Sequence, residues 1–431
     1  MDKFIFPKGF YFGAATSAHQ VEGGNCNDWT EWEIQNTKIK VQNATLRQAQ
    51  GVNSWPDYIM KNYPNPLQEE NYISGKACDH YNRFREDFDI AQKLGHNAHR
   101  FSIEWSRIEP EEGRFNEAEI EHYRQVIKAL RERGIEPFVT LWHWPVPVWL
   151  RDKGGWKSKE IIPYFSRYVE RVVLALQRDV NFWITLNEPL VFAKISYLEG
   201  RWPPQEKSVF SYLRVSSNLI KAHKIAYGVI KNIQPNAQVG IAHNMSFFEV
   251  ENNNFVNRAL KRFGEWRKNY AFLNAIQHYQ DFIGFNYYSH YRVNFGYSKI
   301  ETEKISDMGW SLYPPGIYYM LRALKKYNKP IYITENGLAD SRDENRFWFI
   351  AEHLKWIEKA IQEGVDVRGY FHWSLLDNFE WSDGFWPRFG LVEVDYSAKG
   401  GSASGGKTME RKIRQSAWEY AKIIKENSIV L

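Results

Sequence analysis

The sequence predicts an α/β chain folded as a single (β/α)8 barrel, of the TIM-barrel type, over residues 1–431, and three observations predict it. Eight short apolar, β-branched or aromatic runs recur along the chain, each followed after a turn by a longer stretch of helical periodicity. No Gly-x-Gly-x-x-Gly turn follows the first run or any other, so the open doubly wound sheet is the weaker alternative. Two glutamates, Glu188 and Glu335, close the fourth and seventh runs, at the strand end where a barrel binds its substrates.

The runs occupy residues 10–16, 98–104, 137–142, 183–187, 239–243, 282–287, 331–335 and 369–373. Their continuous apolar character fits strands covered by one another and by an outer ring of helices. Helical spacing is clearest over residues 117–133, 163–176, 209–233, 345–362 and 408–425. Two stretches interrupt the alternation. Residues 25–79, between the first two strands, read as a long, polar, turn-rich loop that covers part of the barrel mouth. Residues 399–407, Lys-Gly-Gly-Ser-Ala-Ser-Gly-Gly-Lys, have the composition of a flexible linker.

That second stretch contains a phosphate-loop pattern, Gly-x4-Gly-Lys-Thr, opening on Gly401 and closing on Thr408. A phosphate loop needs its strand in the middle of a parallel sheet, so that glycine amides and a helix N-terminus converge on the anion. Here the strand-like residues 391–395 come after the eighth barrel run, and glycine-serine tracts produce such matches readily. Nucleotide binding is therefore the minor alternative function.

Composition narrows the class further. Apolar residues make up 43% and charged residues 25%, the balance of a chain with a large core, which excludes disorder as the main state. Aromatics reach 16% with 18 Trp, which calls for an aromatic core, for exposed rings that stack on flat partners such as sugars, or for both. The charge of +5 is the difference of 56 basic and 51 acidic residues with no basic block, so nucleic acid is not implied. No secretory pattern or bilayer-length apolar run is present, and the expectation is a cytoplasmic protein without a membrane partner. Cys26 and Cys78 are expected as free thiols, and without a secretory signal the acceptor triplet at Asn43 carries no weight. Self-association into a homo-oligomer stays open.

The chemistry is carried by the paired acids. The fourth run ends Thr185-Leu-Asn187-Glu188-Pro189, and the seventh ends Ile333-Thr-Glu335-Asn336-Gly337. One such glutamate alone reads most simply as half of a buried salt bridge. Two, on strands four and seven of a closed barrel, face each other across its mouth with room for a sugar ring between them. Carboxyls roughly 5–5.5 Å apart let one attack the anomeric carbon while the other protonates the leaving oxygen, whereas roughly 6.5–9.5 Å admits a water and inverts configuration.

These two motifs resemble those of glycoside hydrolase family 1, and the likeness runs through most of the chain. It includes Phe10-Tyr-Phe-Gly-Ala-Ala-Thr-Ser-Ala-His-Gln20, Arg100-Phe-Ser-Ile-Glu-Trp-Ser-Arg107, Val139-Thr-Leu-Trp-His143-Trp144, Asp281-Phe-Ile-Gly-Phe-Asn286-Tyr-Tyr288 and Trp373-Ser-Leu-Leu-Asp-Asn-Phe-Glu380-Trp381. The resemblance implies a retaining, exo-acting β-glycosidase that uses neither metal nor organic cofactor, with Glu335 as nucleophile and Glu188 as general acid/base. Its partner would be a small-molecule β-glycoside or oligosaccharide. It also implies that Gln20, His143, Asn187 and Glu380 bond the sugar hydroxyls and that Asn187 serves the 2-hydroxyl. Asn286 joins this substrate-binding set, Trp373 forms a stacking floor, and Trp144 and Trp381 line the pocket. For His143 a metal role is disfavoured, since no clustered ligand spacing accompanies it.

Physical chemistry gives these roles a direction. A nucleophile must stay ionised, so Arg100 and the Tyr288 hydroxyl are expected to make Glu335 titrate low. The acid must keep its proton near neutrality, which apolar surroundings would enforce at Glu188. By the same resemblance, Glu380-Trp381 implies an unphosphorylated glycone, because relatives that accept sugar phosphates lack this pair. The loop His143-Trp-Pro-Val-Pro-Val-Trp-Leu150 looks closer to the archaeal branch, which often accepts both glucosides and galactosides. Residues 45–51 and the glycine-serine stretch read as insertions. Transglycosylation on the same site, and a non-catalytic sugar-binding barrel, are the rival readings.

Overall fold

The computed structural model describes residues 3–51, 54–299, 304–397 and 409–430. Eight parallel strands close into a barrel: β1 (Tyr11–Ala15), β2 (Ala98–Ser102), β3 (Glu136–Thr140), β4 (Phe182–Asn187), β5 (Gln238–Val250), β6 (Phe282–Val293), β7 (Ile331–Gly337) and β8 (Val367–Trp373). Each pairs with its sequence neighbours, and β8 pairs with β1 to complete the ring. Helices such as Glu117–Glu132, Ile161–Leu176, Val209–Ile233 and Arg346–Gln362 alternate with these strands. At the closed end Lys3–Ile5 pairs antiparallel with Ser428–Val430 and ties the two ends of the chain together. No helix among the described residues is long and apolar enough to cross a membrane.

Much of the aromatic excess is core. Phe138, Phe182, Phe282, Tyr332 and Phe371 fill the barrel interior below the mouth, with Phe138 stacked on Phe182 at 4.1 Å between centroids. Strand closure also dictates a small residue in one catalytic motif. A Cβ on Gly337 would stand 1.9 Å from the Trp373 carbonyl oxygen, so only glycine lets β7 and β8 meet just beyond Glu335.

The structure departs from the sequence expectation in three places. Residues 25–79 do not form only a turn-rich loop, because the helix Asp28–Gln50 occupies their first half. Asn27 caps it through a reciprocal capping box with Thr30, and Gly51 ends it at φ 67°. Its buried apolar positions, Trp29, Trp32 and Ala44, are too sparse to form a readable stripe. Residues 45–50 form the last turns of this helix, and Gly51 is its cap. Strands β5 and β6 overrun the barrel rim as a paired overhang from Ser246↔Ser289 to Val250↔Val293. The last helix spans Gln415–Glu426, because Arg411–Ile413 instead pairs as a strand with Val392–Val394. Residues 399–408, with the phosphate-loop pattern from Gly401 to Thr408, lie outside the described residues.

The segment leading from β8 to Glu380 is tied down by charge. Asp377, fully buried, accepts hydrogen bonds at 2.9 Å from each terminal nitrogen of Arg414 and at 2.9 Å from the Gly390 amide. Burial alone would raise its pKa, yet Arg414 and Arg388 hold it below the ordinary carboxylate value. Arg414→Met leaves that carboxylate without its main cation and is expected to remove about 3 kcal/mol of stability. The urea midpoint measures this, and an unmoved midpoint would show that the pair contributes nothing.

Candidate active site

A cavity of about 1240 Å³ opens at the C-terminal ends of the strands. Gln20, His143, Trp144, Glu188, Tyr288, Glu335, Trp373, Glu380 and Trp381 all line it. The remaining three candidates, Arg100, Asn187 and Asn286, lie one layer behind the wall, almost wholly buried.

Glu335, near the end of β7, is held at both oxygens. Arg100 Nη1 donates to Oε1 at 2.5 Å, and the Tyr288 hydroxyl donates to Oε2 at 3.0 Å. Arg100 is itself oriented by Thr140 Oγ1 at 3.1 Å and Asn187 Oδ1 at 2.7 Å. The expectation that Glu335 titrates low is overturned. Burial raises its carboxyl pKa above the ordinary value, and Arg100, Tyr288 and Asn286 only partly offset that cost.

Glu188, the residue after β4, receives amide donors alone: Asn286 Nδ2 at 2.8 Å and Asn244 Nδ2 at 2.9 Å. Burial first, and then the nearby charge of Glu335, raise it to about 7. The repulsion between the two falls on Glu188 because its own contacts include no cation, whereas Glu335 ionises against Arg100. Asn286 reaches both acids, for the side chain that donates to Glu188 also helps to lower Glu335. Asn286 is positioned in turn by Thr334 Oγ1 at 2.6 Å, so the strand-end residues of β4, β6 and β7 form one network.

The opposite wall is aromatic and polar. Trp144 and Trp381 pack at 4.5 Å between centroids, and His143 lies 6.0 Å from Trp373 at 29° between planes. Asn187 Nδ2 donates to His143 Nε2 at 2.9 Å, which puts the imidazole proton on Nδ1. Burial keeps this imidazole neutral, and Nδ1 has no partner among the described residues. Gln20 Nε2 donates to Glu380 Oε2 at 3.3 Å. Burial, with Asp383 and Glu335 nearby, raises Glu380 well above the usual carboxyl range. Three wall residues, Trp144, Glu188 and Trp381, adopt left-handed backbone at φ 85°, 43° and 49°. Each such residue costs on the order of 1–3 kcal/mol, so the surrounding packing holds the mouth in a shape its local sequence disfavours.

Sequence reasoning missed Asn244. It lies on β5 in register with Asn286, and its polar amide at a strand end was the available signal. Lys268 and Tyr291 also line the cavity and were missed, since one comes from a helical segment and the other from the overhang of β6.

Glycosidic bonds are cleaved by unequal carboxyl pairs, and here one acid faces a guanidinium while the other meets only amides, so this barrel mouth places the chain among the glycoside hydrolases. The sequence model of glycosyl hydrolase family 1 matches residues 2–278 and 272–429. The chain is 36% identical to beta-glucosidase A of Thermotoga maritima, with 98% of each sequence covered. Its fold is similar to that of a beta-glycosidase from Pyrococcus horikoshii at a TM-score of 0.84 and 37% identity, covering 100% of this chain and 97% of the other. It is likewise similar to the Thermotoga maritima beta-glucosidase in complex with glucoimidazole, at a TM-score of 0.83 and 34% identity over 98% and 99% of the two chains. The chain belongs to glycosyl hydrolase family 1 and is a β-glycosidase.

Proposed function

We propose that the enzyme is exo-acting and retaining, and that it hydrolyses unphosphorylated β-D-glucosides, with β-D-galactosides as a second substrate class, through a covalent glycosyl-enzyme. The observation that carries this reading is the opposed electrostatics of the two acids. Glu335 faces a guanidinium and a phenol, which favour the ionised nucleophile, and Glu188 sees amides and a neighbouring negative charge, which favour the proton. In the first step Glu335 attacks the anomeric carbon and Glu188 delivers its proton to the departing oxygen. Esterification removes the charge on Glu335, so the acidity of Glu188 increases and it then serves as base toward water. Neutral His143, Gln20 and Glu380 offer hydrogen bonds to glycone hydroxyls, and the indole faces of Trp373 and Trp381 suit the apolar face of a pyranose. Burial, Asp383 and Glu335 already make negative charge costly at Glu380, so a sugar phosphate placed beside it is disfavoured.

Chromogenic β-glucoside, β-galactoside, β-mannoside and β-fucoside substrates, followed across pH, test this reading. Glucoside and galactoside turnover is expected, with kcat/KM falling as pH rises through about 7, where Glu188 loses the proton it must donate. On the acid side activity falls as Glu335 is protonated, and that limb lies above the ordinary 4.5 because burial raises this group. No turnover on any of the four glycones would end the proposal.

A further inference from the structure

The wall on the leaving-group side of Glu188 is cationic. Lys194, Lys268 and Tyr291 line the cavity together with Glu188 and Asn244. Both lysines sit in π-helical turns, Lys194–Leu198 and Trp266–Tyr270, a rare geometry that recurs at functional sites. Tyr291 comes from the overhang of β6, paired with Phe248 of β5, so this wall stands above the barrel rim, outward of the two acids.

The three groups differ in what neutralises them. Lys194 Nζ is paired with Glu199 at 2.9 Å. Lys268 forms no ion pair among the described residues, and its ammonium lies 5.0 Å from the centroid of the Tyr291 ring. Burial, with Lys194 adding to it, lowers the Lys268 pKa below its ordinary value, and the acidic groups that oppose this are Tyr291 and Glu188, neither of them an ion-pair partner. Tyr291 gives the complementary sign: although burial opposes it, the charge of Lys268 draws the phenol below its usual value. While Glu188 holds its proton, the wall therefore presents about one positive charge without a paired carboxylate, together with an acidified hydroxyl donor. A single ammonium on a flexible stem matches a monoanion as a point charge, whereas a dianionic phosphate would leave one charge unmatched.

We propose that this wall recognises an anionic leaving group, so that the favoured substrates are β-glycosides whose aglycone carries a carboxylate, held by Lys268 with the Tyr291 hydroxyl beside it. The inference rests on the β-glycosidase reading above and extends it to the aglycone.

A matched pair of substrates tests it: 4-carboxyphenyl β-glucoside and its neutral primary amide, assayed with the wild-type enzyme and with Lys268→Met and Lys268→Arg. Lys268 also acts on Glu188 through space, but the ratio of the two kcat/KM values within one variant cancels any such effect on the acid. Wild type is expected to favour the carboxylate by about tenfold, the scale of a hydrogen bond to a charged group. That preference should shrink with added salt, vanish in Lys268→Met and persist in Lys268→Arg. Turnover of the amide by Lys268→Met certifies that the variant is folded. A wild-type preference for the amide, or a ratio that Lys268→Met leaves unchanged, overturns the inference. Failure of wild type on both compounds and on a simple chromogenic glucoside would instead overturn the underlying glycosidase reading.

Discussion

Glu335→Ala is expected to lower kcat on the order of 10⁶-fold, the scale reached when a covalent nucleophile is deleted from an intact site. Two donors then lose their acceptor, because Arg100 Nη1 and the Tyr288 hydroxyl both point at the missing carboxylate. The vacated space, still flanked by a guanidinium, is an anion site, so added azide or formate should restore part of the turnover. Since Glu188 still protonates the leaving oxygen, the rescued product forms in one displacement and carries inverted configuration. Anomer analysis by proton NMR reads this directly. Wild-type-like turnover, or rescue with retained configuration, would remove Glu335 from the nucleophile role.

Glu188→Ala should discriminate between substrates rather than abolish activity uniformly. Alkyl glycosides and disaccharides need a proton on the departing oxygen, and their first step is expected to slow by roughly 10²–10⁴-fold, the usual contribution of a positioned general acid. Aryl glycosides with acidic leaving groups depart unaided, so they should still form the covalent intermediate in a rapid burst and then stall for want of a base. Glu188→Gln keeps an acceptor for Asn244 Nδ2 and Asn286 Nδ2, and so separates loss of the proton from loss of packing. Equal losses on both substrate types in both variants would argue against an acid role. The same variants should also lose the alkaline limb near pH 7, since burial and Glu335 raise Glu188 into that range.

The barrel was legible because its strands are short, doubly buried and punctuated. Seven of the eight expected strands start within one residue of their observed positions, and the eighth, β8, starts two residues early at Val367. The helix Val209–Ile233 was readable to the residue, because Ser208 caps its start and its buried positions repeat at helical spacing. The helix Asp28–Gln50 was not, because a polar helix lying over the barrel mouth has no continuous apolar stripe to betray it. The overhang of β5 and β6 was equally hidden, since residues 246–250 and 289–293 pair with each other beyond the rim and 291–293 pair back with Tyr297–Lys299, contacts that only the folded chain supplies.

Both acids could be found from sequence, because a glutamate at the end of an apolar run is conspicuous and a barrel aims every such end at one mouth. The raised carboxyl of Glu188 could be expected too, but that of Glu335 could not. The Arg100 and Tyr288 contacts were foreseen for Glu335, yet the upward shift comes from burial, which depends on everything packed around the group rather than on the partners that can be named. Strand order and the identity of the two carboxyls follow from local pattern, which the chain carries residue by residue. How far burial raises each of them, and what charge faces the departing group at Lys268, follow from desolvation and distance, and those exist only once remote segments have been brought together.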